Sequence, residues 1–179
     1  MSEFHKMKIA GLERSLPLCP IDDNVDIAAF VIFGDVEITM ASATELLKKC
    51  PEFDYIVTAE AKGIPLAYEM SRQSGKRYFV VRKGAKLYMR DPVCVNVRSI
   101  TTDHVQTLYL DGHEGQEMTG KKVLIVDDVI STGESLRAME VLLNKFGADI
   151  VGKAAILAEG DACNRDDIIY LEELPIFYK

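Results

Sequence analysis

The chain has 179 residues, of which 48% are hydrophobic and 27% charged, and its formal net charge is -7 at pH 7. This length predicts one globular domain spanning residues 1–179 with a full hydrophobic core, and the negative charge argues against nucleic acid as a partner. No apolar run approaches the roughly 18 residues of a membrane-spanning helix, and the N-terminus lacks a signal-peptide core, so we expect a cytoplasmic protein with no membrane partner. The four cysteines lack C-x-x-C spacing and are expected to be reduced thiols.

The N-terminal region gives weak structural signals. Residues 1–8 are polar and are expected to be frayed, and the apolar residues of 9–25 have no clear period, which predicts irregular structure or a short helix. Residues 27–33 form a candidate strand. The stretch Ser42-Ala43-Thr44-Glu45 has the form of a capping box, so a helix is predicted to begin there and to stop before Pro51.

A strand, a turn and a helix are predicted for residues 54–70. The apolar stretch 54–58 leads into Glu60-Ala61-Lys62-Gly63, and an apolar helical pattern begins at Ile64. A turn between a strand and a helix presents backbone N–H groups and the positive end of the helix dipole to an anion. The segment is therefore a candidate anion-binding turn, although an ordinary connection would have the same pattern.

A third candidate strand, 78–81, is followed by three cations within five residues, Arg82, Lys83 and Lys86. A run of like charge is usually a solvated surface. The position of this run after a strand, in a chain of negative net charge, makes these residues candidate anion ligands.

The pattern then alternates as in antiparallel strands from Tyr88 to about Leu110, with a polar tip at 99–104. This predicts a long hairpin. His104 lies in the tip, and a lone histidine there is expected to be exposed, with catalysis as the less favoured alternative.

The most informative segment is 123–135. A continuous apolar run predicts a strand buried on both faces, and Asp127 and Asp128 come near its end, where open α/β sheets hold their ligands. A turn of hydroxyl and glycine residues and a helical pattern follow. Two alternatives are a solvated strand end and a simple capping box from Ser131 to Glu134. A further strand is predicted at 150–157, before Glu159, and a final strand at 171–177.

Together these units predict an α/β fold with a central, mainly parallel sheet flanked by helices. The segment 123–135 resembles the phosphoribosyl-pyrophosphate (PRPP) signature of type I phosphoribosyltransferases: four hydrophobic residues, Asp-Asp, two hydrophobic residues and a small-Thr-Gly turn. The resemblance implies that Asp127 and Asp128 are catalytic, bind the ribose hydroxyls and contact Mg²⁺ indirectly, mostly through PRPP. It implies that the turn holds the 5-phosphate with Ser131, Thr132, Gly133, Glu134 and Ser135.

Two other segments resemble the purine branch of this family. Glu60-Ala61-Lys62-Gly63 is similar to a signature whose loop binds pyrophosphate, and an Arg-Lys pair such as Arg82-Lys83 contacts pyrophosphate and the neighbouring subunit's site. Residues 33–39 resemble a Phe-Arg-Asp-Ile-Thr/Ser stretch of adenine phosphoribosyltransferases, with Gly34 in place of the arginine. The implied pyrophosphate ligands are Glu60, Ala61, Lys62, Gly63, Arg82, Lys83 and Lys86, and the implied base contacts are Phe33, Val129 and Glu159.

The resemblance implies a five-stranded core, a small hood with an N-terminal arm at about 1–35, a hairpin flap over the site, and a homodimer. The implied reaction joins adenine to PRPP and yields AMP and pyrophosphate. Hypoxanthine or guanine is the alternative because of Gly34 and because the flap lacks the glutamate common in adenine enzymes. Xanthine is disfavoured because Gly160 stands where those enzymes have a lysine. A PRPP-sensing regulator without turnover is a second alternative, although nothing before Phe33 resembles a basic helix-turn-helix.

Overall fold

The computed structural model describes residues 4–98 and 105–179, so the predicted hairpin tip and His104 lie outside the described part of the chain. The elements in order are β1 (Phe4–Ile9), β2 (Leu12–Pro20), β3 (Val25–Ala28), α1 (Val36–Lys49), β4 (Tyr55–Ala59), α2 (Ile64–Ser74), β5 (Tyr78–Val81), β6 (Val93–Arg98), β7 (Val105–Leu110), α3 (Gly112–Glu117), β8 (Lys122–Ile130), α4 (Glu134–Lys145), β9 (Asp149–Glu159), β10 (Ile169–Leu174) and β11 (Ile176–Tyr178). In these described ranges, no helix is long and apolar enough to cross a membrane.

The central sheet has the strand order β10-β9-β8-β4-β5, and every neighbouring pair is parallel. Helix α4 packs on one face through residues such as Leu136 and Met139, and helices α1 and α2 pack on the other through Leu46 and Leu66. Both faces of β8 are therefore covered, which explains its continuous apolar run. The predicted α/β fold with a mainly parallel sheet is confirmed.

The second sheet has the order β1-β2-β3-β11, is antiparallel throughout, and joins the two ends of the chain. The prediction of frayed or irregular structure is wrong for residues 4–20, which form β1, β2 and the turn between them. Ala10 and Gly11 both have positive φ, and this two-residue turn pairs β1 with β2. The predicted strand at 27–33 is also wrong in its extent, because β3 ends at Ala28.

Helix α1 begins earlier than predicted. Asp35 is its N-cap, since its carboxylate accepts a hydrogen bond from the N–H of Ile38 at 3.1 Å. Arg14 of β2 donates to the same carboxylate at 2.7 Å and connects the second sheet to the helix. Ser42, predicted as the cap, is buried inside the helix, so the capping-box pattern did not mark its start.

The predicted strand at 171–177 is divided by Pro175, which has no N–H for a ladder. Before the proline, β10 pairs with β9 of the central sheet, and after it, β11 pairs with β3 of the second sheet. The predicted hairpin is confirmed in its described part, where β6 pairs with β7. Its base is buried against α4 through Val95, Leu108 and Leu110.

Candidate active site

Two adjacent carboxyl groups lie near the carboxyl end of β8. Asp128 is only 3% exposed, and its N–H donates to Oδ1 of Asp127 at 2.8 Å. Burial, and then the negative charge of Asp128, raises the pKa of Asp127 to about 7. The neutral form of the Asp127 carboxyl is therefore favoured more than it is in an exposed aspartate.

The turn after β8, residues 131–135, is called the phosphate turn below. It lines a hollow of about 140 Å³ together with Asp127 and Val129. Gly133, with φ +77°, is the N-cap of α4, so the alternative of a capping box that begins at Ser131 is wrong. The glycine has no side chain to fill the turn, and the positive end of the α4 dipole lies beside the hollow.

Arg165 packs against the phosphate turn from outside this hollow. An ideal Cβ at Gly133 would lie 2.6 Å from Nη1 of Arg165, so a side chain there would displace the guanidinium, and the φ of +77° independently favours glycine. Asp167 accepts two hydrogen bonds from Arg165, at 2.8 and 2.7 Å, and these orient the guanidinium. The sequence analysis assigned no role to Arg165, because this contact joins residues far apart in the chain.

The turn after β4, residues 60–63, is called the diphosphate turn. Glu60 accepts hydrogen bonds from the N–H of Lys83 and, at 2.7 Å, from Nε of Arg82, while Arg82 also donates to the Tyr88 hydroxyl at 2.9 Å. Burial would raise the pKa of Glu60, but these hydrogen bonds outweigh it, and the net pKa lies below the usual value. The Glu60 carboxylate therefore connects this turn to the segment after β5.

Gly63 lets the diphosphate turn approach β8. An ideal Cβ there would lie 2.1 Å from Oγ1 of Thr58 and 3.1 Å from Oδ1 of Asp127. In addition, Nζ of Lys62 lies 3.2 Å from Oδ2 of Asp128. The two strand ends are thus in direct contact.

One cavity of about 440 Å³ unites these features at the carboxyl edge of the sheet. Its lining residues are Ala59, Glu60, Ala61, Lys62, Lys83, Asp127, Asp128, Val129, Ser131, Ser135 and Glu159. Six charged side chains therefore face a common space, and they lie on or directly after four separate strands, β4, β5, β8 and β9.

Other candidate residues lie outside this lining. Phe33 is 52% exposed in the connection before α1, and its contact with a base stays a prediction. Arg82 acts on the cavity through Glu60, and Lys86 is exposed in the segment after β5.

The Asp pair fits a divalent cation only in part. Oδ2 of Asp128 is buried and, apart from the Lys62 ion pair, has no hydrogen-bond partner, and carboxylate oxygens are ligands that Mg²⁺ prefers. Within residues 4–98 and 105–179, however, no cluster of three or more His, Cys, Asp or Glu side chains is placed to hold a metal. The donor set suits Mg²⁺ held chiefly by the oxygens of a substrate.

Comparison with known proteins agrees with this geometry. The family model described as "phosphoribosyl transferase domain" matches residues 37–174. A hypoxanthine/guanine phosphoribosyltransferase of Methanococcus voltae is 36% identical over 79% of this chain and 70% of its own length. An adenine phosphoribosyltransferase of Cenarchaeum symbiosum is 32% identical over 71% of this chain and 73% of its own length.

A crystal structure of adenine phosphoribosyltransferase from Thermoanaerobacter pseudethanolicus has the same fold. It superposes with a TM-score of 0.72 at 19% identity, covering 88% of this chain and 95% of the other. Fold, motifs and family model lead to one conclusion: the chain belongs to the phosphoribosyltransferase family.

Proposed function

We propose that the protein transfers the ribosyl 5-phosphate group of PRPP to a purine, with adenine as the first substrate and AMP and pyrophosphate as products. The observation that carries this proposal is the single cavity that both anion turns share with Asp127 and Asp128. PRPP has a phosphate at one end of its ribose and a diphosphate at the other, which matches two anion turns separated by a carboxylate pair.

The side chains of the cavity suit the charge changes of this reaction. The bond from C1 to the pyrophosphate oxygen breaks, the bond from C1 to the base nitrogen forms, and that nitrogen loses its proton. C1 gains positive charge before the new bond is complete, and Asp127 and Asp128, as acceptors for the ribose hydroxyls, place negative charge near it. Lys62 and Lys83 line the same cavity and suit the negative charge of the leaving pyrophosphate.

We propose Mg²⁺ as the cofactor, held mostly through PRPP, with Asp127 and Asp128 as indirect ligands. When bound, the ion neutralises charge on the diphosphate and favours its departure. In the protein, Asp128 Oδ2 is the atom best placed to accept a hydrogen bond from a ribose hydroxyl or from water around the ion.

The choice of base rests on Glu159, which lines the cavity at the end of β9, beside Val129. A carboxylate accepts hydrogen bonds, and the exocyclic amino group of adenine donates them. Guanine also donates from N1 and its amino group, and a hypoxanthine/guanine enzyme is among the relatives. Hypoxanthine or guanine is therefore the second candidate, while Gly160 provides no side-chain donor for a second oxo group of xanthine.

The test is a spectrophotometric assay with PRPP, Mg²⁺ and each of adenine, hypoxanthine, guanine and xanthine in separate reactions. We expect turnover with adenine at the highest kcat/KM. Greater turnover with hypoxanthine or guanine would show that this base, and not adenine, is the preferred substrate of the same reaction. PRPP binding by calorimetry without turnover of any base would contradict the enzyme proposal and favour a PRPP-sensing regulator.

We also propose a homodimer. A groove of about 410 Å³ between α1 and α2 is lined largely by apolar side chains, of which Val36, Met40 and Tyr68 are exposed, and a second copy of the chain would cover them. Light scattering after size exclusion should give twice the chain mass for the wild type. Met40→Glu should shift this mass toward one chain, and a wild-type mass of one chain would contradict the proposal.

A further inference from the structure

The hydroxyl of Ser135 has a partner that belongs to the hairpin and not to the phosphate turn. Ser135 ends the turn and lines both its hollow and the main cavity. Nε2 of Gln106 donates to Oγ of Ser135 at 3.0 Å, and the Ser135 hydroxyl can donate in turn to Oε1 of Gln106 at 3.4 Å. Gln106 is in β7, 29 residues earlier in the chain.

The shorter of these contacts limits the directions open to the serine proton. A hydroxyl has one proton to donate and two lone pairs to accept with. Because the Gln106 amide N–H occupies one lone pair of Oγ at 3.0 Å, the Ser135 proton is left for Oε1 of Gln106, at the longer distance of 3.4 Å, or for an oxygen of a ligand in the hollow. A hydroxyl without this amide rotates among several acceptors, and ordering it on binding has an entropic cost.

Both partners stand on rigid supports. Leu108 and Leu110, which follow Gln106 in β7, are fully buried against α4, and Ser135 lies in the first turn of that helix. The hydrogen bond from Gln106 therefore joins the base of the hairpin to the start of α4.

We propose that Gln106 is a positioning residue for the 5-phosphate end of the substrate, acting by holding the Ser135 hydroxyl as a donor to a ribosyl phosphate monoester. This inference depends on the proposed function, because it assumes that the phosphate turn binds that monoester. Gln106 lies outside the sequence motifs of the anion turns. Its proposed role means that the base of the hairpin contributes to binding the substrate before the reaction begins.

The experiment compares the binding of two partial ligands, ribose 5-phosphate and inorganic pyrophosphate, by calorimetry. Gln106→Leu should weaken ribose 5-phosphate about tenfold, the size expected for one hydrogen bond to a charged group, and should leave pyrophosphate unchanged. In a Ser135→Ala background, Gln106→Leu should cause no further loss. Thr107→Val is the matched control, because it removes a hairpin hydrogen bond from Thr107 to Asn96, at 2.6 Å, without touching Ser135.

A second variant controls for the possibility that Gln106→Leu fails to fold. Gln106→Glu keeps the side-chain shape, but its carboxylate accepts the Ser135 proton, so it should also weaken ribose 5-phosphate selectively. Equal loss of both ligands in both variants, or unchanged ribose 5-phosphate binding, would overturn the inference while wild-type turnover still supported the proposed function. Failure of the wild-type protein to bind ribose 5-phosphate would overturn the proposed function as well.

Discussion

The two anion turns at the carboxyl edge of the sheet are built in different ways. The phosphate turn uses hydroxyl groups, a glycine and the start of α4, all within one contiguous segment. The diphosphate turn places Glu60 and Lys62 at the cavity, and it is connected by Arg82 and Lys83 to the segment after a different strand. One turn is locally defined, and the other depends on contacts between strands.

This difference matches the ligands that we propose. A phosphate monoester is held well by N–H and hydroxyl donors at a helix start, whereas a departing diphosphate gains charge and requires cations. The Asp pair stands between them, in contact with Lys62 and close to Gly63. A substitution in one turn should therefore weaken the binding of one end of the substrate and leave the binding of the other end unchanged.

The largest effect should come from the centre of this arrangement. Asp127→Asn with Asp128→Asn removes the negative charge beside C1 and should lower kcat about 1000-fold. The melting temperature should change little, because the loss of the Lys62–Asp128 ion pair is offset by the loss of repulsion between two buried acidic groups. Steady-state kinetics and thermal unfolding measure both. Retained turnover in the double variant would exclude the pair as catalytic.

Glu60→Gln should disturb the diphosphate turn alone. The amide still accepts from the Lys83 N–H but loses the charge pair with Arg82, so pyrophosphate should bind roughly tenfold more weakly and ribose 5-phosphate equally well. Calorimetry with each ligand checks this. Glu69→Gln is the control, since Glu69 makes a similar pair with Arg72 on α2, away from the cavity, and should leave both affinities unchanged.

Thr132→Val tests the other turn. Loss of one hydroxyl donor should raise the KM for PRPP about tenfold, with pyrophosphate affinity unchanged. Thr44→Val, at an exposed position in α1, is the control. A normal KM for PRPP would indicate that the hydroxyl of Thr132 does not contact the 5-phosphate.

The smallest effect concerns pH and stability. The folded pKa of Asp127 is about 7, above the ordinary value of 3.8, so its contribution to the free energy of unfolding is complete below about pH 4 and is lost as the pH rises through 7. Asp127→Asn removes this loss. Each pKa unit of the shift corresponds to about 1.4 kcal/mol, so the variant should melt above the wild type at pH 8, and the difference should shrink as the pH falls toward 4.

The two proteins should melt alike at pH 4, where the wild-type carboxyl is largely neutral. A constant difference across the pH range would show that Asp127 does not titrate as described.

The sequence predicted best what is local. Asp127, Asp128 and the phosphate turn occupy one segment whose strand, turn and helix are all visible in residue order, and the buried parallel strands have continuous apolar runs. Gln106, Arg165 and the Glu60–Arg82 pair had no local signal, because their contacts join distant segments.

The N-terminal strands were missed for another reason. Their stability comes from pairing with each other and with β11, and their turn depends on a positive φ at Ala10, which alanine rarely adopts. The start of α1 was misplaced because the sequence has two residues suited to an N-cap, Asp35 and Ser42, and the capping-box pattern favoured Ser42. Asp35 is the cap in the structure, and Arg14 from β2, which the sequence pattern does not reveal, contacts it.

Both anion turns should bind one substrate molecule. Displacement calorimetry tests this when PRPP with Mg²⁺ is titrated into protein already saturated with ribose 5-phosphate and pyrophosphate together. We expect one PRPP per chain to displace both ligands. Displacement of only one of them would show that the two turns do not bind the same molecule.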